Sequence, residues 1–363
     1  MRIGFDARMI DHPGIGRYIS SLLPEMVKQA PDDEFVIFGD PEKLSGFENN
    51  ENVIVEEWKA PVFSVQEQIS GVCKFRGLDV LHVPNFNIPL MFKGKMVTTI
   101  HDLIYLLFPE SLPSVLAGWY ARFMMGSVLR RSDSVIAVSS HTAGDLVKSF
   151  GDQYSNKIKV IHEATSGEFS HVHEEKTKED VKRRWGLPDK FILYVGSVKP
   201  HKNVSTLIKV FEQIKARGLP YQLVICGRWD KKEDYLKAKI HENGIKYIGD
   251  EMPTEDLVVL YQMADVLVHL SLYEGFGLTV LEAMSCGTPV VTSNTSSIPE
   301  VAGLAAAVVP PKDVEQITDA VCNILTDESL RLKMIEAGYE NIKRFSWGKT
   351  AASTLNIYRN TYE

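Results

Sequence analysis

Cysteine is scarce: Cys73, Cys226, Cys286 and Cys322 are the only four in 363 residues, far apart and never as C-x-x-C. That argues against a disulfide-stapled fold or a cysteine zinc site, and it fits a reducing cytoplasm. Basic charge is not in excess either. At a net charge of -7, nucleic acid is not expected as the main partner. No apolar run approaches the roughly 20 residues of a membrane span. Low-complexity segments and short-period repeats are missing. The start, Met1-Arg-Ile-Gly-Phe-Asp6, reads as a strand rather than a signal peptide. What remains is a chain of soluble globular composition, long enough for two domains of ordinary size.

The richest stretch is Ser271-Leu-Tyr-Glu-Gly-Phe-Gly-Leu-Thr-Val-Leu-Glu282. The apolar run Asp265–Leu270 before it reads as a buried parallel strand. After it, Leu278, Leu281, Ala283 and Met284 fall mostly at helical spacing, and Gly287 with Pro289 ends the pattern. Strand, glycine turn and short helix place Gly275, Phe276 and Gly277 where a backbone can approach a ligand. The free N–H groups of a helix start favour an anion. Glu274 and Glu282 stand on either side. Taken singly, one is a helix cap and the other a solvated surface residue. Taken together, at the C-terminal end of a strand in an open sheet, they point to a site for phosphates and sugar hydroxyls.

The spacing Glu274, seven residues, Glu282, with Gly275-Phe-Gly277 between, resembles the signature of retaining glycosyltransferases of the GT-B fold. The resemblance implies that Glu274 lies near the donor sugar and that Glu282 binds the ribose of a sugar nucleotide. It also implies two doubly wound, Rossmann-like α/β domains facing each other across a cleft.

In the first half, Arg2–Phe5 predicts a strand, Asp11-His-Pro-Gly-Ile-Gly-Arg17 a loop, and Tyr18 to Met26 a helix. Gly14-Ile-Gly16 lacks the third glycine of a dinucleotide fingerprint, so a plain tight turn is an equal reading. By resemblance, Gly16 lines the donor phosphates and Arg17 the acceptor side. Further strands are predicted at 35–38, 53–55, 80–83, 96–100, 134–138 and 158–161, with helical patterns between several of them. Two strand ends carry polar residues, His82-Val-Pro-Asn85 and Thr98-Thr-Ile-His-Asp102. A lone histidine is usually tied to a nearby carbonyl, but the resemblance sets His101 at the reaction centre, with Asn85 and Asp102 on the acceptor side. Ser139 reads as a helix cap. Residues 112–131 (Leu116, Trp119, Tyr120, Phe123, Met124, Met125, Leu129) read as a core-packing helix with solvated arginines; attachment to an anionic membrane surface is the minority reading.

Residues 162–189 are polar and read as a linker followed by a surface helix. His171 and His173 lack the company of a metal site. A new unit opens at Phe191–Val195, whose turn, Gly196-Ser-Val-Lys-Pro-His-Lys-Asn203, precedes a helix. Two lysines at a strand end beside a helix start suit a diphosphate; ordinary surface lysines are the plain alternative. Lys202 matches the family's phosphate-binding lysine. The family often has arginine where Ser197 stands, and Lys199 is the substitute. Arg228, after the strand ending at Cys226, is a further donor-side candidate. Leu278 completes the donor loop.

The expected division is 1–170 with 346–363, the acceptor domain, and 171–345, the donor domain. The expected catalytic groups are His101, Lys202 and Glu274. No D-x-D is present, so metal-independent transfer is expected, with no cofactor beyond the nucleotide-sugar substrate. Asn85-Phe-Asn-Ile-Pro-Leu90, Thr99-Ile-His-Asp102 and Pro109-Glu resemble bacterial mannosyltransferases of surface polysaccharide synthesis. GDP-mannose is therefore the first donor expected, and a glycan or lipid-linked glycan the acceptor, in the cytoplasm or on the inner face of the membrane. A sugar-nucleotide epimerase or hydrolase, and a non-catalytic sugar-nucleotide-binding protein, are the competing readings.

Overall fold

A computed structural model describes residues 1–109, 112, 114–170 and 174–363, with the backbone alone for 69–73 and 115. Glu110, His171, His173 and the thiol of Cys73 lie outside the described residues. The chain divides into two compact units, residues 1–163 with 346–363, and residues 164–345.

The first unit holds seven parallel strands: β1 (Arg2–Asp6), β2 (Glu34–Gly39), β3 (Val53–Glu57), β4 (Val80–Val83), β5 (Lys95–Ile100), β6 (Ser134–Ala137) and β7 (Ile158–Val160). They lie in the order β3-β2-β1-β4-β5-β6-β7. The central strands are buried along nearly their whole length because helices cover both faces of such a sheet. Order reverses between β1 and β4, the place where an open sheet leaves a crevice at its strand ends. The last helix, Trp347–Tyr362, belongs to this unit. Ser346 caps it by accepting from the Lys349 N–H at 3.2 Å. It lies on helix Ile15–Gln29, where Gln29 donates to the Gly348 carbonyl at 3.0 Å and Tyr18 meets Trp347 edge to face.

Helix Val115–Arg131 is only half covered. Met124, Met125, Val128 and Leu129 are buried, whereas Leu116 and Trp119 are 78% and 70% exposed, with Tyr120 and Phe123 also at the surface. This differs from the core-packing helix predicted for 112–131. The residues are apolar on more than one face, and neighbours bury only the C-terminal part, with Tyr120 tied to Asn87 and edge-on to Phe63.

The second unit holds six parallel strands: β8 (Phe191–Val195), β9 (Gln222–Cys226), β10 (Lys246–Ile248), β11 (Val266–His269), β12 (Val290–Ser293) and β13 (Ala307–Val309). Their order is β10-β9-β8-β11-β12-β13, so β8 and β11 flank the reversal. Residues 164–170 side with this unit. The Phe169 carbonyl accepts from the Cys286 thiol, and its ring lies edge-on to Tyr261. Helix Glu175–Trp185 is pinned to helix Thr254–Met263 by Asp256, which accepts from Arg184 and from the Trp185 indole at 2.8 Å. No helix among the described residues is long and apolar enough to cross a membrane.

Candidate active site

The ends of β8 and β11 stand side by side, so the loops after them meet. The first loop carries Lys199 and Lys202, the second Glu274 to Gly277. Backbone bonds join them: the Leu272 N–H donates to the His201 carbonyl at 2.7 Å. Asn203, in left-handed backbone, donates from its side chain to the carbonyls of Leu270 and Pro311.

This junction presents Lys202 to Glu274. The Lys202 ammonium donates to Glu274 Oε1 at 2.6 Å, between side chains 17% and 14% exposed. His269 Nε2, from the end of β11, lies 2.9 Å from the same oxygen and 3.0 Å from Ser271 Oγ. Burial pushes the Glu274 carboxyl up, but the Lys202 charge and the His269 bond outweigh it and hold it well below the usual carboxylate range. Its loop is fixed from the β12 side. The Glu274 N–H donates to Ser296 Oγ at 2.9 Å, and the Ser297 hydroxyl reaches the carbonyls of Glu274 and Phe276.

Gly277 caps the helix Leu278–Ser285 with φ near 116°, and a Cβ there would meet Ile298 Cδ1 at 2.7 Å. The position therefore requires glycine. Phe276 is buried against Phe345. Glu282 is not a surface residue: it is 2% exposed and accepts from the Tyr261 hydroxyl at 2.9 Å. Ser197 stays close to β8, its carbonyl accepting from Tyr194. Lys199 and Arg228 are exposed, and the backbone of Arg228 receives the Val198 N–H at 2.8 Å.

The first unit gathers the remaining candidates at the ends of β1, β4 and β5. Gly16 receives no Cβ because Ile10 O would lie 2.0 Å from it, and Arg17 is exposed. Both ring nitrogens of His101 are engaged, Nδ1 with Glu163 at 2.9 Å and Nε2 with the Pro84 carbonyl at 3.1 Å. Asp102 accepts from the Ile104 N–H, which closes a turn. Asn85 is 2% exposed; its oxygen takes the Asn87 N–H, and its Nδ2 has no hydrogen-bond partner among the described residues. Ser139 caps its helix through the Thr142 N–H.

The polar groups that sequence reading missed are those inside apolar surroundings. His269 sits in a buried strand, and Ser296 and Ser297 lie in the loop after β12. Arg8, beside Trp58 with its guanidinium 3.4 Å from the ring centre, pairs with Asp6 at 2.6 Å and with the buried Glu67. The only signal for it was a charged pair directly after a strand.

Residues 14–165 match the model of Glycosyltransferase Family 4, and residues 175–341 that of Glycosyl transferases group 1. O-antigen chain mannosyltransferase B of Escherichia coli is 28% identical over 99% of this chain and 100% of its own length. Serotype-specific mannosyltransferase WbdA of Escherichia coli is 29% identical over 74% of this chain, which spans only 33% of that relative. Among solved structures, sucrose-phosphate synthase of Thermosynechococcus elongatus superposes with a TM-score of 0.76 at 21% identity, over 99% of this chain and 98% of that one. Anabaena Alr3699/HepE, solved with UDP and glucose, gives 0.75 at 19% identity, over 99% of this chain and 100% of that one. With two consecutive family matches and a fold shared along its length, the chain belongs to the glycosyltransferases of the GT-B fold.

Proposed function

We propose that this glycosyltransferase moves a hexose, mannose from GDP-mannose first, from a nucleotide sugar to a glycan or lipid-linked glycan acceptor of surface polysaccharide. The reading rests above all on the Lys202–Glu274 pair at the sheet reversal. It places a cation and a carboxylate together beside the start of helix Leu278–Ser285. The cation and the first-turn N–H groups suit a diphosphate, and the carboxylate suits sugar hydroxyls. The likeness to O-antigen chain mannosyltransferase B along its whole length supports the donor and the acceptor class.

In this reading the anomeric C–O bond to the diphosphate breaks. Negative charge grows on the departing phosphate and is stabilised by Lys202, Lys199 and the helix start. The acceptor hydroxyl bonds to the anomeric carbon on the same face, and its proton passes to the departing diphosphate. Anomeric configuration is retained. The two lysines take the place of a divalent metal. Glu282, held by Tyr261, is assigned to the ribose. His101 is assigned to the donor sugar at the reaction centre, with Asn85, Asp102 and Arg17 on the acceptor side.

Thermal unfolding with GDP, UDP and ADP, each with and without EDTA, tests this. At about 100 times the dissociation constant, a bound nucleotide adds about 2.7 kcal/mol. A shift with GDP that survives EDTA is expected, followed by mannosyl transfer from GDP-mannose. No shift with any nucleotide would overturn the reading.

We propose further that the first unit works peripherally on the cytoplasmic face of a membrane. Leu116, Trp119, Tyr120 and Phe123 stand at helical spacing on an exposed face, and helix Val115–Arg131 carries three arginines and no acid. Sedimentation with phosphatidylglycerol vesicles should be lost in Trp119→Ser/Phe123→Ser. Equal binding by that variant would refute it.

A further inference from the structure

One oxygen of Glu274 has two donors, and the other has none among the described residues. Lys202 and His269 converge on Oε1, at 2.6 and 2.9 Å. They differ in setting. Lys202 sits at the end of a four-carbon stem, 17% exposed on its side chain. His269 is 1% exposed. Its ring lies parallel to Tyr194 at 6.2 Å, and its carbonyl is held by the Thr292 hydroxyl at 2.9 Å. The lysine reaches the surface and the imidazole does not.

The histidine also carries a cost that packing alone does not explain. Every other residue of β11, Val266 to Val268, is a buried aliphatic. His269 Nδ1 is buried there without a hydrogen-bond partner among the described residues. A leucine or phenylalanine would fill the place without an unpaired polar atom. What the imidazole adds is a polar Nε2, 2.9 Å from Glu274 Oε1 and 3.0 Å from Ser271 Oγ.

We propose that His269 is a positioning residue that keeps Glu274 Oε1 bonded while Lys202 transfers to the diphosphate of the donor. This rests on the nucleotide-sugar reading above. In the empty site both donors serve the carboxylate. When a diphosphate arrives, Lys202 turns to it, and His269 alone holds the carboxylate in place. The other oxygen stays directed at the sugar. Without His269, each departure of Lys202 strands a carboxylate that is only 14% exposed. Leaving such a buried group unpaired weakens diphosphate binding about 5- to 150-fold. A bare nucleoside makes no call on Lys202 and is unaffected.

The test compares two ligands by calorimetry: the nucleoside diphosphate that the wild type binds, taken from GDP, UDP and ADP, and its bare nucleoside. His269→Phe fills the ring's volume without a donor. It is expected to weaken the diphosphate about tenfold and the nucleoside less than about twofold. His269→Gln returns an amide N–H near the Nε2 position and should recover most of the diphosphate affinity. In a Lys202→Met background, His269→Phe should cost nothing further. If His269→Phe does not fold, His269→Asn, whose amide falls short of Glu274, carries the same comparison. Equal losses for both ligands, or an undiminished loss in the Lys202→Met background, would overturn the role and leave His269 a packing residue. A wild type that binds none of the three diphosphates would remove the donor reading itself, and this role with it.

Discussion

Lys202→Met separates the two things the Lys202–Glu274 pair does. In the empty protein the lysine neutralises a carboxylate held out of water. In the proposed reading it meets the diphosphate once donor is bound. Removing one partner of a buried ion pair costs about 3–5 kcal/mol. Two features reduce that here. The side chains keep 17% and 14% of their exposure, and His269 remains as a donor. A loss of about 2 kcal/mol is expected, or roughly 4–8 °C in the melting temperature of a domain of about 150–250 residues. The second variant, Lys202→Met/Glu274→Gln, removes the stranded charge and should come back to within about 1 kcal/mol of wild type. Its turnover should stay as low as that of the single variant, because the diphosphate has still lost its cation. Scanning calorimetry and a nucleotide-release assay, run on the same preparations, read the two effects. A single variant as stable as wild type, or a double variant no more stable than the single, would refute the pair as a desolvated unit.

Other outcomes follow from single sites. Burial, with His101 nearby, pushes His82 down to about 3, and burial with Lys202 nearby does the same to His201. Above pH 6.5 neither state holds the proton. Between about 6.5 and 3 only the unfolded chain takes it up, so stability falls with falling pH by about 1.4 kcal/mol per unit for each histidine. Urea titrations from pH 7 to 5 should show that slope, and His201→Leu should remove it from the second unit; an unchanged slope counts against the assignment. Gly277→Ala meets both a positive φ and Ile298, so it should cost more than about 1 kcal/mol and weaken nucleotide binding, both visible in a thermal-shift titration. Glu282→Gln keeps the shape beside Tyr261 and should weaken nucleotide binding with little change in melting temperature; unchanged affinity would sever Glu282 from the ribose.

The strands were readable because each is a short apolar run stopped by glycine or a polar turn, and the alternation with helical patterns carried the doubly wound topology. Loop residues near strand ends were readable too, since charge at such a place is conspicuous. What could not be read is convergence. Lys202 and Glu274 are 72 positions apart, and no local pattern says that one ammonium meets that carboxylate. His269 was hidden by its setting, because a run of buried aliphatics is read as packing throughout. Glu282 was readable as a site candidate only from its spacing to Glu274: taken singly, a glutamate on a helix reads as solvated, and here Tyr261 covers it. On helix Val115–Arg131 the apolar residues announced a helix but not which half would be covered, a matter of neighbours rather than of spacing.

The helix Trp347–Tyr362 has a consequence for synthesis. It is made after the whole second unit, yet it completes the first unit: Tyr358 bonds His82 on β4, and Thr350 reaches the His162 carbonyl. While the ribosome is still adding the second unit, the earlier sheet waits with Tyr18, His82 and Thr99 uncovered. Domains usually mature in the order in which they emerge. Here the second unit can finish first, and the first is sealed only when the tail returns. A nascent chain stalled before Ser346 would thus carry an open, sticky face, the natural point for a chaperone to hold.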